Sequence, residues 1–228
     1  EPGMPQFKLN ELTDTLLKKE FDQCRKDQKP HRKFIEKGLD HIVPYDAGLT
    51  IIKNSKGEEK KLPLIDVWRD AKHHGLKRRF KDTNIILRGG IDDIWFNKKT
   101  KELIVVDYKS QASSKEVSQD TYFPKGGFHD SYKTQLNFYA YLIKGLNLKY
   151  KISDDSYLYV VNGLEVEKGF NGKIIFSETL IHHQVETDYL DDEIQKMINA
   201  INSNEIPASN KSCKNCAYSR QRSVIDTL

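Results

Sequence analysis

A chain of 228 residues, 37% hydrophobic, 31% charged and 10% aromatic, is long enough to bury a real core and too aromatic for a disordered polymer. Its formal charge of +4 permits nucleic acid as a partner without requiring it. The longest aliphatic run, Leu103 to Val106, is far short of the ~20 residues of a membrane span, nothing reads as a signal peptide, and three cysteines are too few for a disulfide framework, so a cytoplasmic chain folded as one domain over 1–228 is expected.

Glu1 to Gln6 reads as a frayed arm. A helix is predicted from Leu9 to Cys24, with Leu9, Leu12, Leu16, Leu17 and Phe21 on one side. Asp22 to Lys37 reads as helix end and connection. Ile42 to Lys61, with Pro44, Gly48, Gly57 and a charged tip from Ser55, predicts an exposed hairpin or insertion, and Asp66 to Gly75 a short helix. Three β-rich runs follow, Asn84 to Arg88, Ile91 to Asn97 and Glu102 to Lys109, separated by Gly89-Gly90 and the turn at Asn97 to Thr100. Ser110 to His129 reads as loop, and Asp130 to Ile143 as a helix stopping near Gly145. Ser156 to Val161, Gly172 to Phe176 and Leu180 to Val185 predict strands, and Tyr189 to Ile201 a last helix. Pro207 then opens a polar tail over 207–228. The order predicts an α/β fold with a central mixed sheet flanked by helices.

Alternation along the third run places Leu103, Val105, Asp107 and Lys109 on one face. A hairpin with the preceding run brings Asp92 or Asp93 alongside. Two carboxylates and an ammonium at one sheet end make a hard-oxygen site suited to Mg²⁺ or Mn²⁺, able to acidify a water and stabilise phosphoryl charge. The plain alternative is a surface ion pair at a strand end. Gln135 and Tyr139, four apart, share one helical face beside Leu136, Ala140 and Ile143, where Tyr139 could equally be core.

Together, Gly90-Ile91-Asp92, Val106-Asp107-Tyr108-Lys109 and Gln135-Leu136-Asn137-Phe138-Tyr139 resemble the PD-(D/E)XK nuclease superfamily, nearest its RecB-type branch, which includes the CRISPR-associated exonucleases. The resemblance spans about 84–145 firmly and the flanks loosely. It implies a restriction-endonuclease-like fold and a metal-dependent nuclease acting on DNA, exonucleolytic or end-processing. It implies Asp92 and Asp107 as metal ligands, the Tyr108 carbonyl as a further ligand and Lys109 as the catalytic lysine. Gln135 and Tyr139 match the helix that supports the site and contacts nucleic acid. The family's helix-borne His or Glu has no obvious counterpart. The loose alignment offers Asp14, while helical geometry offers Glu20, which projects among Leu12, Leu16, Leu17 and Phe21. Incompleteness there keeps a second reading open, a catalytically inactive nucleic-acid-binding or assembly module on the same fold.

His182 and His183, adjacent in a strand, face opposite ways and do not suit one ion. The basic run around His73, His74, Lys72, Lys77, Arg78 and Arg79, with Lys125 and Lys133, either neutralises phosphates or is a solvated face. Tyr122, Phe123 and Phe128 either stack on bases or anchor their loop. Cys213 and Cys216 have the spacing of half a zinc or iron–sulfur site. With only Cys24 elsewhere the four-ligand set is incomplete, so no cluster or zinc is expected on this chain as it stands.

Overall fold

Residues 8–53, 56–124, 127, 129–167, 169–209, 211 and 213–225 are described by a computed structural model, with side chains described as far as residue 223. The expected N-terminal arm, Ser55, Lys125 and Phe128 lie outside the described residues. The chain divides into two compact units, 1–187 and 188–228.

Five strands of the first unit form its central sheet: β1 (Ile42–Pro44), β6 (Asp93–Asn97), β7 (Glu102–Ala112), β8 (Lys151–Leu164) and β9 (Ile175–Gln184), in the order β1-β6-β7-β8-β9. Only the β7–β8 pair is parallel, which makes the sheet mixed. The parallel crossover contains α5 (Asp130–Lys144), as a strand-to-parallel-strand connection requires. A short helix, α4 (Gln119–Tyr122), interrupts the segment expected to be loop, and β7 itself runs on to Ala112. The two strands expected over 172–185 are one continuous strand, β9.

Two small hairpins sit outside this sheet. β2 (Leu49–Lys53) pairs with β3 (Glu59–Pro63), the hairpin expected there. β5 (Ile86–Gly89), the first of the three predicted β-runs, does not join the central sheet. It pairs with β4 (Leu76–Arg79), a strand hidden in the basic run. Period-2 patterning marks a strand but carries no record of its partner.

β7 is buried on both faces, so Leu103 to Val106 reads as a continuous apolar run rather than an alternating one. Its even-numbered face, Ile104, Val106 and Tyr108, packs with Leu17 and Phe21 of α1 (Lys8–Asp27) and with Phe34, Trp95 and Tyr159. Phe21 is the centre of that cluster, stacked on Trp95 at 5.5 Å and meeting Tyr159 edge-on at 5.2 Å. α5 covers the other face through β7 and β8. The apolar stripe expected along α1 is only half used: Leu17 and Phe21 are buried, while Leu9, Leu12 and Leu16 are each more than half exposed.

His31, before α2 (Arg32–Glu36), closes this core from the side. Its ring stacks on Phe21 at 4.3 Å, Nδ1 accepts from the Lys33 amide at 3.3 Å, and Nε2 lies 2.8 Å from Glu20 Oε1. That pattern requires the neutral tautomer with the proton on Nε2. Burial lowers the His31 pKa despite the Glu20 carboxylate. The unfolded chain therefore takes up a proton first as pH falls through the ordinary value of 6.5, and stability present above that pH is lost below it. That contribution is isolated by comparing wild type with His31→Gln in urea melts: the stability difference in favour of wild type should be smaller at pH 5.5 than at pH 7.5, and a difference independent of pH would contradict it.

α3 (Leu64–Arg69) lies between β3 and β4. In the second unit, α6 (Leu190–Asn202) spaces Leu190, Ile194 and Ile198 four apart on one face. The polar tail holds a further helix, α7 (Lys214–Ile225), not assigned from sequence. Its polar composition hid it, since no apolar stripe marks the helical period. No helix among the described residues is long and apolar enough to cross a membrane.

Candidate active site

The ladder between β6 and β7 ends at the pair Asp93–Val106, and there the two strands part. The Tyr108 amide, freed from the ladder, donates to Asp92 Oδ2 at 2.9 Å. In a strand the N–H and C=O of one residue point the same way, so the Tyr108 carbonyl also faces this fork. Asp107 and Lys109 flank it on the face covered by α5. Alternation and hairpin pairing thus assemble the site at one sheet end.

Two glycines let the chain reach that position. A Cβ on Gly89 would come within 3.1 Å of the Tyr139 ring and of Leu142 on α5. One on Gly90 would lie 2.6 Å from the Ala71 Cβ and 2.9 Å from the Arg69 carbonyl, behind α3. The segment before Asp92 is therefore threaded between two elements with no room for side chains. Gly90→Ala, which must move backbone, should cost about 1–3 kcal/mol in a thermal melt and displace Asp92. A variant as stable as wild type would mean that this clearance is unimportant.

The two aspartates in sequence have opposite fates. Asp93 is fully buried: Arg25 Nη2 donates to its Oδ1 at 2.5 Å and the Tyr108 hydroxyl to its Oδ2 at 2.6 Å. Arg69 approaches Asp93 at 3.7 Å and donates to the Asp92 carbonyl at 2.8 Å. Arg69 also bonds Asp22 at 2.9 Å. Asp93 is thus the anchor of a buried truss that fixes the Asp92 backbone and the Tyr108 ring. Asp92 turns instead to the fork, where Lys18 Nζ lies 3.1 Å from its Oδ1.

Asp107 is almost wholly buried. Lys109 Nζ forms an ion pair with its Oδ2. Burial first, and the facing Asp92 carboxylate second, push the Asp107 pKa up to about 7, against the pull of Lys109. Lys109 also donates to Gln135 Oε1 at 3.0 Å and lies 4.5 Å from the centre of the Tyr132 ring. Gln135 Nε2 in turn donates to the Tyr139 hydroxyl at 2.7 Å. Burial holds the Tyr139 pKa at about 12, so the phenol stays protonated. A continuous chain of contacts therefore links Asp107, Lys109, Gln135 and Tyr139.

Of the two helix-borne acids, α1 presents Asp14 toward the fork and takes Glu20 away from it. Asp14 Oδ2 binds Lys18 Nζ at 2.7 Å, and the same ammonium reaches Asp92. Glu20 bonds His31 and, at 3.0 Å, Arg32, whose guanidinium also grips Glu178. Lys18, Arg25 and Arg69 were not singled out from sequence. Lys18 could have been, four residues after Asp14 on one helical face. Arg69 carried no such signal.

Several of the remaining candidates have partners of their own. Arg78 stacks on Tyr141 at 3.9 Å and donates to its carbonyl, Arg79 donates to the Thr83 carbonyl, and His73 pairs with Asp70. Lys133 pairs with Asp130 at 3.0 Å and covers the Phe123 ring. Tyr122 is buried and stacked on His129, which anchors its loop. His182 bonds Asp155 and His183 bonds Asn137, on opposite faces as alternation requires. Cys24 is half-buried on α1, and the Cys213 thiol accepts from the Cys216 amide where α7 begins.

A family model described as the PD-(D/E)XK nuclease superfamily matches residues 6–221. The chain belongs to that superfamily. Its mixed five-stranded sheet flanked by helices is the corresponding restriction-endonuclease-like fold. No curated protein and no solved structure matches the chain. Membership makes it one of a superfamily of nucleases, hydrolases that as a rule use Mg²⁺ or Mn²⁺ on nucleic acid.

The residues at the fork fit such an ion. Asp107 offers a buried carboxylate, Asp92 faces it closely enough to oppose its ionisation, and two acidic oxygen donors brought together at a sheet end are the hard ligands such an ion takes. Among the described residues no three His, Cys, Asp or Glu side chains form a ready metal cage. Mg²⁺ needs none, since it is commonly held by one or two carboxylates, waters and substrate phosphate.

Proposed function

We propose that this chain is a Mg²⁺- or Mn²⁺-dependent nuclease hydrolysing DNA phosphodiester bonds, acting as an exonuclease or on ends as the RecB-type resemblance implies. The observation that carries this reading is the meeting of Asp92 and Asp107 at the β6–β7 fork, with Lys109 held between Asp107 and Gln135. Asp92, Asp107 and the Tyr108 carbonyl would hold the ion, with Asp14 the helix-borne member of the set. When bound, the ion supplies an acidified water and neutralises charge on the phosphate. Lys109 would orient the attacking water for addition to phosphorus as the bond to the leaving oxygen breaks. Gln135 fixes the lysine, and Tyr139 fixes Gln135, so both are positioning residues that can also meet the nucleic acid.

The test is cleavage of end-labelled single- and double-stranded DNA, and of RNA as a comparison, with Mg²⁺, Mn²⁺ or a chelator. Metal-dependent cleavage of DNA that Lys109→Ala lowers at least about a hundredfold supports the assignment. Cleavage that survives both Asp107→Ala and Lys109→Ala contradicts it. One observation favours the second reading, a non-catalytic module on this fold: Lys18 and Lys109 satisfy the acids without an ion. Calorimetry with Mn²⁺ separates the two, because such a module has no Asp92-dependent metal site.

A further inference from the structure

Among the described residues, Lys18 is in contact with both the helix-borne acid and the fork acid. Its ammonium lies 2.7 Å from Asp14 Oδ2 and 3.1 Å from Asp92 Oδ1, with its side chain three-quarters buried. These are the two carboxylates that come to the site from different elements, α1 and the segment before β6. A cation tethered at that place does for them what a divalent ion would do: it cancels their repulsion and joins α1 to the sheet end. We propose that Lys18 is an internal counter-cation that bridges Asp14 and Asp92 in the metal-free protein and competes with the divalent ion for them. This rests on the reading of the fork as a metal site and goes further, by naming what the ion must displace.

Two consequences follow from charge and reach. A divalent ion drawing on Asp92 meets a positive charge already within hydrogen-bond distance of it, and at such separations like charges repel strongly even in a polar protein environment. Removing the ammonium while keeping the aliphatic stem removes that repulsion and frees two carboxylates together. Arginine in its place keeps the charge and a donor fork suited to carboxylates, so it preserves the competition. The effect belongs to the bridging position and not to net charge, since Lys19, next along α1, is exposed.

The experiment is titration of the full chain with Mn²⁺ alone, followed by calorimetry, for wild type, Lys18→Met, Lys18→Arg and Lys19→Met, with circular dichroism confirming the fold of each. The expected result is that Lys18→Met binds Mn²⁺ about tenfold or more tightly than wild type, or binds where wild type shows no uptake. Lys18→Arg and Lys19→Met stay within about threefold of wild type. Equal or weaker binding by Lys18→Met, or an equal gain in Lys19→Met, overturns the bridging role while leaving the metal site intact. Failure of wild type and Lys18→Met alike to bind Mn²⁺ overturns both this role and the metal-site reading beneath it.

Discussion

Asp107→Asn should abolish nuclease activity and, in the metal-free protein, make the fold more stable. The cause of both is the same buried carboxylate. Asp107 sits against Asp92 with almost no solvent, and its pKa is raised to about 7 from an ordinary 3.8. An acid whose folded pKa is raised favours the folded state only while protonated. The stability it contributes is present below pH 3.8 and is lost as pH rises through about 7. At pH 8 the ionised group therefore works against folding by roughly 1–4 kcal/mol, since each tenfold change in proton affinity is worth about 1.4 kcal/mol. Asparagine keeps the shape and removes the charge. Thermal melts at pH 8 with a chelator should show Asp107→Asn above wild type, with the difference shrinking toward pH 5. Added Mn²⁺ should raise the wild-type midpoint and leave the variant unmoved. A variant less stable than wild type at pH 8 would mean that Asp107 is a structural ion-pair partner of Lys109 and no more.

Asp93→Ala should have the opposite character, a collapse of stability. Arg25 and Arg69, each more than nine-tenths buried at the side chain, share Asp93 as their buried counter-charge, and the Tyr108 hydroxyl gives its proton to the same carboxylate. Removing one partner of a buried pair leaves charge uncompensated and typically costs about 3–5 kcal/mol. Two arginines here depend on one acid, so the upper part of that range is expected from urea denaturation. Asp154→Ala, at a carboxylate more than half exposed, should shift the same measurement by no more than about 0.5 kcal/mol. A loss at Asp93 as small as that would show that the truss does not hold the sheet end.

The contrast between these neighbouring aspartates shows what could be read from residues alone. Hairpin pairing brought one of Asp92 and Asp93 to the site but could not choose. The choice is made by Arg25 and Arg69, from α1 and α3, which claim Asp93 for the interior. The Asp107, Lys109, Gln135 and Tyr139 group was legible because strand and helix periods each place their own pair on one face, and a single strand–helix contact joins them. Strands were legible where apolar runs were dense, at β6 and β7. Their partners were not legible where hydrogen bonding and not composition decides them, as when β5 pairs with the basic β4. Glu20 showed the limit of helical arithmetic. It does lie beside the apolar stripe, but His31 and Arg32, brought back by the α1–α2 turn, satisfy it instead of an ion.

Diffraction from crystals soaked in saturating Mn²⁺, with data at the manganese absorption edge, tests the central claim most directly. One anomalous peak is predicted at the β6–β7 fork, within coordination distance of the Asp92 and Asp107 carboxylates and the Tyr108 carbonyl, with the Lys18 ammonium withdrawn from Asp92. An absence of any peak there, with Lys18 and Lys109 still bonded to the acids, would contradict the claim that this fork is a metal-dependent active site.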